Sequence, residues 1–196
     1  METITKAEVQ TGLTGGTSGT SGPALTAAGK VLNARPDRPG IAVDPGGTIF
    51  LIISFGSGEN AALARAWLAE AAELGPVQWL TFADFTPETR RQLSQSLSSS
   101  LNGVRIMVVG PQFDVLQTLA LARAAGALEN EVRSLVTNTA DLPVYCAHCR
   151  ATSRVVGGVG DAVTCPACAR TLEIHAHLSS VRGSYLASDA LARELP

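Results

Sequence analysis

Residues 48–84, TIFLIISFGSGENAALARAWLAEAAELGPVQWLTFAD, decide the fold, because they predict a strand, a helix and a second strand in succession. The run TIFLIISF at 48–55 is apolar and β-branched, as in a strand that is buried on both faces of a sheet. The stretch 59–74 is rich in alanine, with large apolar residues near helical spacing. Gly75 and Pro76 end this helix, and VQWLTFAD at 77–84 predicts the second strand.

The alternation of strand and helix continues to residue 137. Thr86, Pro87 and Glu88 are typical of an N-cap, a first helical position and an acidic first turn. Strands that alternate with helices of this length imply a parallel sheet with right-handed crossovers. We therefore predict an α/β fold with a partial doubly wound parallel sheet. The predicted strands are 48–55, 77–84, 104–110 and 131–137, and the predicted helices are 59–74, 87–98 and 111–125.

The composition changes on both sides of this region. Residues 11–23 are almost entirely Gly, Ser and Thr, and residues 33–47 contain three Pro and three Gly. Such segments bury too little apolar surface to offset the entropy of ordering them. The last 55 or so residues are rich in turns and contain all four cysteines. We therefore predict a flexible arm at 1–40, an α/β domain at 41–140 and a small four-cysteine ribbon domain at 141–190.

The charge and hydropathy of the chain exclude several classes of function. Of the 196 residues only 16% are charged, and the net charge of −2 argues against a nucleic-acid partner. The longest apolar run, 49–53, is far too short to span a bilayer, so no membrane partner is expected. The first ten residues lack the apolar core of a signal peptide. We expect a cytoplasmic protein.

The four cysteines form two Cys-x2-Cys pairs, Cys146 with Cys149 and Cys165 with Cys168. Two such turns joined by a short connection are typical of a four-cysteine ribbon, in which four thiolates surround one metal ion. Because four thiolates saturate tetrahedral zinc, no position is left for water or substrate, and the zinc would be structural. His148, inside the first pair, is expected to face the solvent.

Two alternatives to zinc stay open at this stage. Disulfides or free thiols are disfavoured by the expected reducing compartment. Mononuclear iron, as in a rubredoxin-like electron carrier, has the same ligands, and the softness of the ligands does not separate the two metals. Zinc is favoured because the connection between the pairs is short and poor in aromatic residues.

His175 and His177 follow the second cysteine pair at positions i and i+2 of a predicted strand, so they are expected to share one face. They could form a second metal site or contact a cofactor or partner at an interface. Alternatively, they could hydrogen-bond locally, since they lack the acidic or cysteine companion that a metal site usually has.

The turn Gly56-Ser57-Gly58 joins a strand to a helix, where a parallel sheet would bind a pyrophosphate. The dinucleotide pattern is incomplete, because Ala61 replaces its third glycine and Glu59 would place a negative charge beside a phosphate. This turn suggests an alternative function. The chain would be an independent electron carrier with iron in the cysteine site, or an NAD(P)-dependent reductase component.

The stretch VVGPQFDVLQTLALARAAGALENEVRSL resembles the last β-α-β unit of the nicotinamide-binding domain of ferredoxin–NAD(P) reductases. In that family a Cys-Gly-Pro turn lies next to the nicotinamide, and here Val109 replaces the cysteine before Gly110 and Pro111. The arginine expected after the second strand is also missing. The resemblance implies an inherited fold with a damaged nucleotide site.

The C-terminal part resembles the small zinc-ribbon subunit of bacterial dimethylamine monooxygenase. The resemblance is carried by YCAHC and TCPAC, by His175 and His177, and by the Gly-x-Tyr-Leu sequence that starts at Gly183, although Ala187 stands where glycine is expected. With the βα region it covers about 48–187. It implies a non-catalytic subunit of an NAD(P)H- and O₂-dependent amine monooxygenase.

The same resemblance implies which cofactors belong to the partners. Haem, flavin and an iron–sulfur cluster would be held by a haem-bearing subunit and by a flavin/iron–sulfur reductase subunit. His175, His177 and Tyr185 are the candidates for contact with those partners.

Overall fold

The computed structural model describes residues 42–99 and 103–192 in full and the backbone of residues 31–33. A short 3-10 turn spans Glu129–Glu131. The helices are α1 Glu59–Ala72, α2 Pro87–Ser98 and α3 Gln112–Ala124. The strands are β1 Val31–Asn33, β2 Ile49–Phe55, β3 Val77–Phe82, β4 Val104–Pro111, β5 Val132–Asn138, β6 Asp141–Cys146, β7 Thr152–Val156, β8 Ala162–Thr164, β9 Thr171–Ser179 and β10 Ser184–Asp189.

The first five strands form a parallel sheet in the order β1-β5-β4-β2-β3. This confirms the predicted parallel α/β arrangement, and each predicted strand and helix is present within a few residues of its expected bounds. The strand β1 is an addition, because residues 31–33 were predicted to belong to the flexible arm. The remainder of that arm, residues 1–30 and 34–40, lies outside the described residues.

The chain winds in both directions from β2, which lies between β3 and the central strand β4. It passes through α1 to β3 on one side of β2, and then through α2 to β4 on the other side. The side chains of β2 alternate between the two faces of the sheet. Phe50 and Ile52 pack with Trp67 of α1, whereas Leu51 and Ile53 belong to the core that contains α2 and α3. The turns after β2 and β4 therefore flank the switch point of a doubly wound sheet, where such folds bind ligands.

The last five strands form a second sheet in the order β7-β6-β10-β9-β8. It contains two antiparallel hairpins, β6–β7 and β8–β9. The strand β10 joins them, because it pairs in antiparallel fashion with β9 and in parallel fashion with β6. Strand β10 thus connects the two hairpins into one sheet.

Helix α3 contacts strands of both sheets, β4 and β5 on one side and β6 and β10 on the other. Nine of its thirteen residues are buried. The buried residues include the polar side chains of Asp114, Gln117 and Thr118, so the helix is covered on almost all sides rather than along one apolar stripe. One hydrophobic core extends from Val108 in β4 through Leu116 in α3 to Val144 in β6. The division into an α/β domain and a ribbon domain at residues 140 and 141 stays a prediction.

Within the described residues, no helix combines the length and the apolar character that crossing a membrane requires.

Candidate metal centre

Each cysteine pair lies at the turn of one hairpin of the second sheet. Cys146 ends β6 and Cys149 lies in the turn to β7, while Cys165 and Cys168 lie between β8 and β9. The four sulfur atoms lie within 4.8 Å of one another. The Sγ atoms of Cys146 and Cys168 are 3.8 Å apart, as are those of Cys149 and Cys165. The fold therefore brings together all four cysteines that the sequence singled out.

The two turns have the same backbone conformation. Cys146 N–H donates to the carbonyl of Ala151 and Cys165 N–H to that of Arg170, at 2.9 and 2.8 Å. The residue after each second cysteine is left-handed, with φ of 64° at Arg150 and 58° at Ala169. For residues with a Cβ this conformation costs about 1–2 kcal/mol, so both turns depart from the relaxed backbone in the same way. The repeated geometry places two sulfurs from each turn around one point.

The electrostatics of the cluster favour a cation at its centre. Burial opposes ionisation of Cys165, but the amides of Ala167 and Cys168 and the neighbouring thiols lower its pKa to about 7. The amide of Arg170 favours the thiolate of Cys168, yet burial and the other three thiols raise its pKa to about 12. Four crowded sulfurs cannot all ionise without a compensating positive charge.

The spacing of the sulfurs fits a tetrahedral metal. At a zinc–sulfur distance of about 2.3 Å, sulfurs at the corners of a tetrahedron lie about 3.8 Å apart. The Cys146–Cys168 and Cys149–Cys165 separations of 3.8 Å match this value and are well beyond a sulfur–sulfur bond of about 2.0 Å. The four cysteines can therefore hold one four-coordinate metal ion. Mononuclear iron fits the same donor set.

The three histidines lie in different surroundings. His148 is exposed in the first cysteine turn, as expected. His175 is half-buried, and its Nε2 is 2.7 Å from the hydroxyl of Ser188 on β10. His177 is exposed. Neither His175 nor His177 joins a cluster of three or more potential metal ligands; within the described residues the four cysteines form the one such cluster.

The strand that carries His175 and His177 is irregular at these residues. Ile174 pairs with Ala187 and Leu178 with Tyr185, so the pairing shifts between them. If the register of the pair Ile174–Ala187 continued, Leu186 would lie opposite His175. If the register of the pair Leu178–Tyr185 continued, Leu186 would lie opposite His177. The register thus shifts by two residues, an irregularity of the β-bulge type, and His175 and His177 stay on the same face as expected.

The structure corrects the expectation for Tyr185 as a partner contact. Its side chain is buried, with 6% of its surface exposed, and its hydroxyl accepts a hydrogen bond from Gln112 Nε2 at 3.1 Å. Nearby, Gln117 Nε2 donates to the carbonyl of Gly183 at 2.8 Å. The Gly-x-Tyr-Leu sequence thus joins the ribbon to α3 inside this chain, because Tyr and Gly are the residues in contact with that helix.

Sequence reasoning missed an ion network between the ribbon and α3. Arg154 on β7 pairs with Asp114 in the first turn of α3 and with Asp141 on β6. The Arg154 guanidinium also lies 4.1 Å from the ring centre of Phe113. Asp114 is 1% exposed, and burial raises its pKa even though Arg154 and the amide of Phe85 oppose this. These residues are far apart in the sequence and belong to no motif, so no sequence pattern predicts their meeting.

At the switch point of the first sheet, the chain itself occupies the space beside the turn after β4, whereas Gly58 in the turn after β2 has no atom within 4 Å of an added Cβ. A Cβ at Gly110 would lie 2.8 Å from the Cβ of Phe55, so the glycine makes room for this phenylalanine. The ring of Phe55 is 5.8 Å from that of Phe82 and 6.4 Å from that of Phe85. Asn60 Nδ2 donates to the carbonyl of Phe55 at 2.7 Å. Both features that suggested a nucleotide site, Gly56–Gly58 and Gly110, therefore adjoin an aromatic cluster.

The architecture defines a class: an α/β protein with a parallel sheet whose helix α3 supports a four-cysteine ribbon. Comparison with known proteins makes this more specific. Residues 143–187 match the family model "Dimethylamine monooxygenase subunit DmmA-like, C-terminal domain". The chain is also 32% identical over 155 residues to the heme-dependent oxidative N-demethylase delta subunit of Ectopseudomonas mendocina (strain ymp), covering 77% of this chain and 85% of that subunit.

The chain belongs to the family of DmmA-like dimethylamine monooxygenase subunits, as its sequence resemblance indicated. No solved structure matches it. The resemblance of the α/β part to the nicotinamide-binding domain of ferredoxin reductases therefore stays a prediction.

Proposed function

We propose that this chain is a non-catalytic, zinc-binding subunit of a multisubunit amine monooxygenase that uses NAD(P)H and O₂. The observation that carries the proposal is the similarity over 155 residues to a subunit of an oxidative N-demethylase, which includes both parts of the chain. The role of the chain would be to brace the complex and its electron-transfer partner. The expected cytoplasmic location and the expected lack of membrane and nucleic-acid partners stay predictions.

Zinc is the metal proposed for Cys146, Cys149, Cys165 and Cys168. The sulfur separations fit a tetrahedral ion, and such a zinc would link the β6–β7 and β8–β9 hairpins. The ion would supply cross-linking energy and no reaction chemistry, because all four positions are occupied by thiolates. Iron in the same site is the alternative, and it would make the chain an electron carrier.

The non-catalytic role is supported by the engagement of the cysteines, Tyr185 and His175, whereas His148 and His177 are exposed. The four cysteines are gathered at one point, Tyr185 is buried against α3, and His175 is engaged by Ser188. General acid–base catalysis needs a group that can reach a substrate, and Lewis-acid catalysis needs an open metal position. We accordingly assign haem, flavin and the iron–sulfur cluster to a haem-bearing subunit and a flavin/iron–sulfur reductase subunit.

The α/β part is proposed to retain a nucleotide-binding fold without tightly bound nucleotide. Phe55 occupies the space beside Gly110, and the turn after β2 donates its Gly56 amide to the carbonyl of Phe82 at 2.8 Å. These contacts use the space beside Gly110 and one of the amide donors that a pyrophosphate would need. Titration of the purified chain with NADH and NADPH tests this, and micromolar binding would contradict it.

The proposed function is tested by purification of the native complex through a tag on this chain. Haem- and flavin-bearing subunits should copurify, and metal analysis of the separated chain should give one zinc per chain. Amine demethylation should require the complex and should be absent from the chain alone. A chain that purifies alone, carries iron and reduces an acceptor would support the electron-carrier alternative instead.

A further inference from the structure

The connection between β3 and α2, residues 83–86, is held by a residue of α3 that also contacts the ribbon. In this connection the Phe85 N–H donates to Asp114 Oδ1 at 2.8 Å. The same oxygen accepts a hydrogen bond from Arg154 of β7. One carboxylate oxygen in the first turn of α3 therefore joins the end of β3 to a strand of the ribbon. The connection lies at the carboxyl edge of the first sheet, where doubly wound sheets bind ligands.

Two further contacts make the β3–α2 connection depend on the same link. The ring of Phe85 lies 6.4 Å from the ring of Phe113, and the Arg154 guanidinium lies 4.1 Å from the centre of that second ring. Thr86 is the N-cap of α2, because its hydroxyl accepts a hydrogen bond from the Thr89 N–H at 3.1 Å. The start of α2 is therefore placed by the residue that follows Phe85.

Strand β7, which carries Arg154, has few other anchors. It lies at the edge of the second sheet, where β6 is its one partner among the described strands. Of its five residues, Val155 is the one that is buried. The strand begins three residues after Cys149, and Arg150 between them has a φ of 64°, which is unfavourable for a residue with a Cβ. A metal bound by Cys149 would hold this turn, and its loss would let the turn relax and β7 separate from β6.

We propose that Arg154 transmits the state of the four-cysteine site to residues 83–86, so that loss of the metal releases this connection and the start of α2. The proposal takes the bound metal, though not the oxygenase complex, from the proposed function. When Arg154 leaves, the buried carboxylate of Asp114 loses its cation and either takes up a proton or turns toward water. Either change weakens its hydrogen bond to Phe85, because a charged acceptor binds an N–H more strongly than a neutral one.

Native-state hydrogen exchange of the full-length, metal-loaded chain tests the link at the Phe85 amide. Arg154→Met should accelerate its exchange by about tenfold or more, as expected when a hydrogen bond to a charged group is weakened. Two references are needed. The amides of the central strand β4 report global unfolding, and the Val43 amide, which donates to a carboxylate oxygen of Glu70 at 3.1 Å, is the matched local control. Equal acceleration at Phe85, Val43 and β4 would show global destabilisation alone and would overturn the proposal.

Two further variants test whether Arg154 acts through Asp114. Asp114→Asn keeps an oxygen acceptor for the Phe85 N–H and needs no cation, so adding it to Arg154→Met should slow the exchange of Phe85 again. Arg91→Met removes an arginine from an exposed pair on α2 and should leave the exchange of Phe85 unchanged. Absence of the rescue by Asp114→Asn would contradict the proposed route.

Chelation tests the role of the metal. It should accelerate exchange of the Phe85 amide in the wild type and should add less in Arg154→Met, since both changes break the same link. If the wild-type chain loses its metal and the exchange of Phe85 stays the same, the inference is wrong, while the proposed function stands. If chelation releases Phe85 but the chain copurifies with no oxygenase subunit, the inference stands and the proposed function fails.

Discussion

Gly183 at the end of the β9–β10 connection lies directly against the backbone of Leu116 in the middle of α3. A Cβ at position 183 would come within 2.2 Å of the Leu116 carbonyl oxygen, and the φ of Gly183 is +59°. The ribbon therefore approaches α3 at van der Waals distance at a position where only glycine fits. The same connection is fixed to the helix by Gln117 and Arg123, which donate to carbonyls of the connection.

We expect Gly183→Ala to destabilise the protein by about 3 kcal/mol or more, because it adds a steric overlap to an unfavourable backbone angle. The control is Gly160→Ala, which has a φ of +92° but has no atom within 4 Å of the added Cβ. It should cost only the backbone term, about 1–2 kcal/mol. Urea denaturation of both variants measures the difference. Equal losses would show that the contact with Leu116 is not tight in solution.

Arg154→Met should destabilise the protein by about 2–4 kcal/mol, because it leaves the carboxylate of Asp114 buried without its cation. The value is below that for a fully buried pair, since the Arg154 side chain is 34% exposed. Arg91→Met, which breaks the exposed pair with Glu88, should leave the free energy of unfolding almost unchanged. Adding Asp114→Asn to Arg154→Met should restore part of the loss. Failure of this rescue would contradict the assigned cause.

The pH dependence of stability should report the buried carboxyl of Asp114. Burial raises its pKa above 3.8, so the folded state holds the proton more tightly than the unfolded chain does. The stabilising contribution is therefore present below about pH 3.8 and is lost as the pH rises through the raised pKa. The stability of the wild type relative to Asp114→Asn should fall across this window in urea denaturation at a series of pH values.

Glu88 provides a control of opposite sign for the pH series. Hydrogen bonds from Gln92 and then Arg91 lower its pKa below 4.5. Its contribution is therefore present above about pH 4.5 and is lost as the pH falls through the lowered pKa. The stability of the wild type relative to Glu88→Gln should rise with pH. If both curves rise the assignment of Asp114 is wrong, and if both fall the assignment of Glu88 is wrong.

Removal of the proposed zinc should unfold the ribbon and loosen α3. Zinc contributes on the order of 10–16 kcal/mol in isolated peptides, and the ribbon side of α3 packs directly on β6 and β10. Hydrogen exchange should accelerate in β6–β10 and α3 after chelation, with a smaller change in α1, which packs on the opposite face of the first sheet. Cys165→Ser should lose the metal, while His148→Ala should keep it. Retention of metal by Cys165→Ser would exclude Cys165 as a ligand.

Local sequence patterns were sufficient for the parallel sheet and the cysteine cluster. The apolar run of β2 and the Gly-Pro stop before β3 act within a few residues, and the Cys-x2-Cys spacing fixes two ligands on each turn. In contrast, the bulge at His175 and His177 depends on how β9 pairs with β10, which is a property of two strands. Tyr185 was predicted to lie at an interface because it belongs to the Gly-x-Tyr-Leu motif. A motif identifies residues but does not show which face of the sheet each side chain occupies.

The position of α3 between two sheets could not be predicted from the sequence either. Its buried residues surround the helix, so its pattern predicts burial but does not identify the layer on each side. Asp114 in this helix meets Arg154 of β7, forty positions later, and only the tertiary fold brings them together. Strand β1 was missed because three residues in a Pro- and Gly-rich region carry too little periodicity to indicate a strand.

Helix α3 makes the two halves of this protein depend on each other, because each half covers apolar surface of the same helix. An α/β part expressed without residues 139–196 would present to water the side of α3 on which Tyr185 and Val144 now pack. Large exposed apolar patches of this kind lead to aggregation. Recombination that exchanged the ribbon between relatives would need to carry compatible α3 residues with it. A ribbon transferred to a relative should therefore fold well only when α3 is transferred with it, although the first strand of the ribbon begins at Asp141.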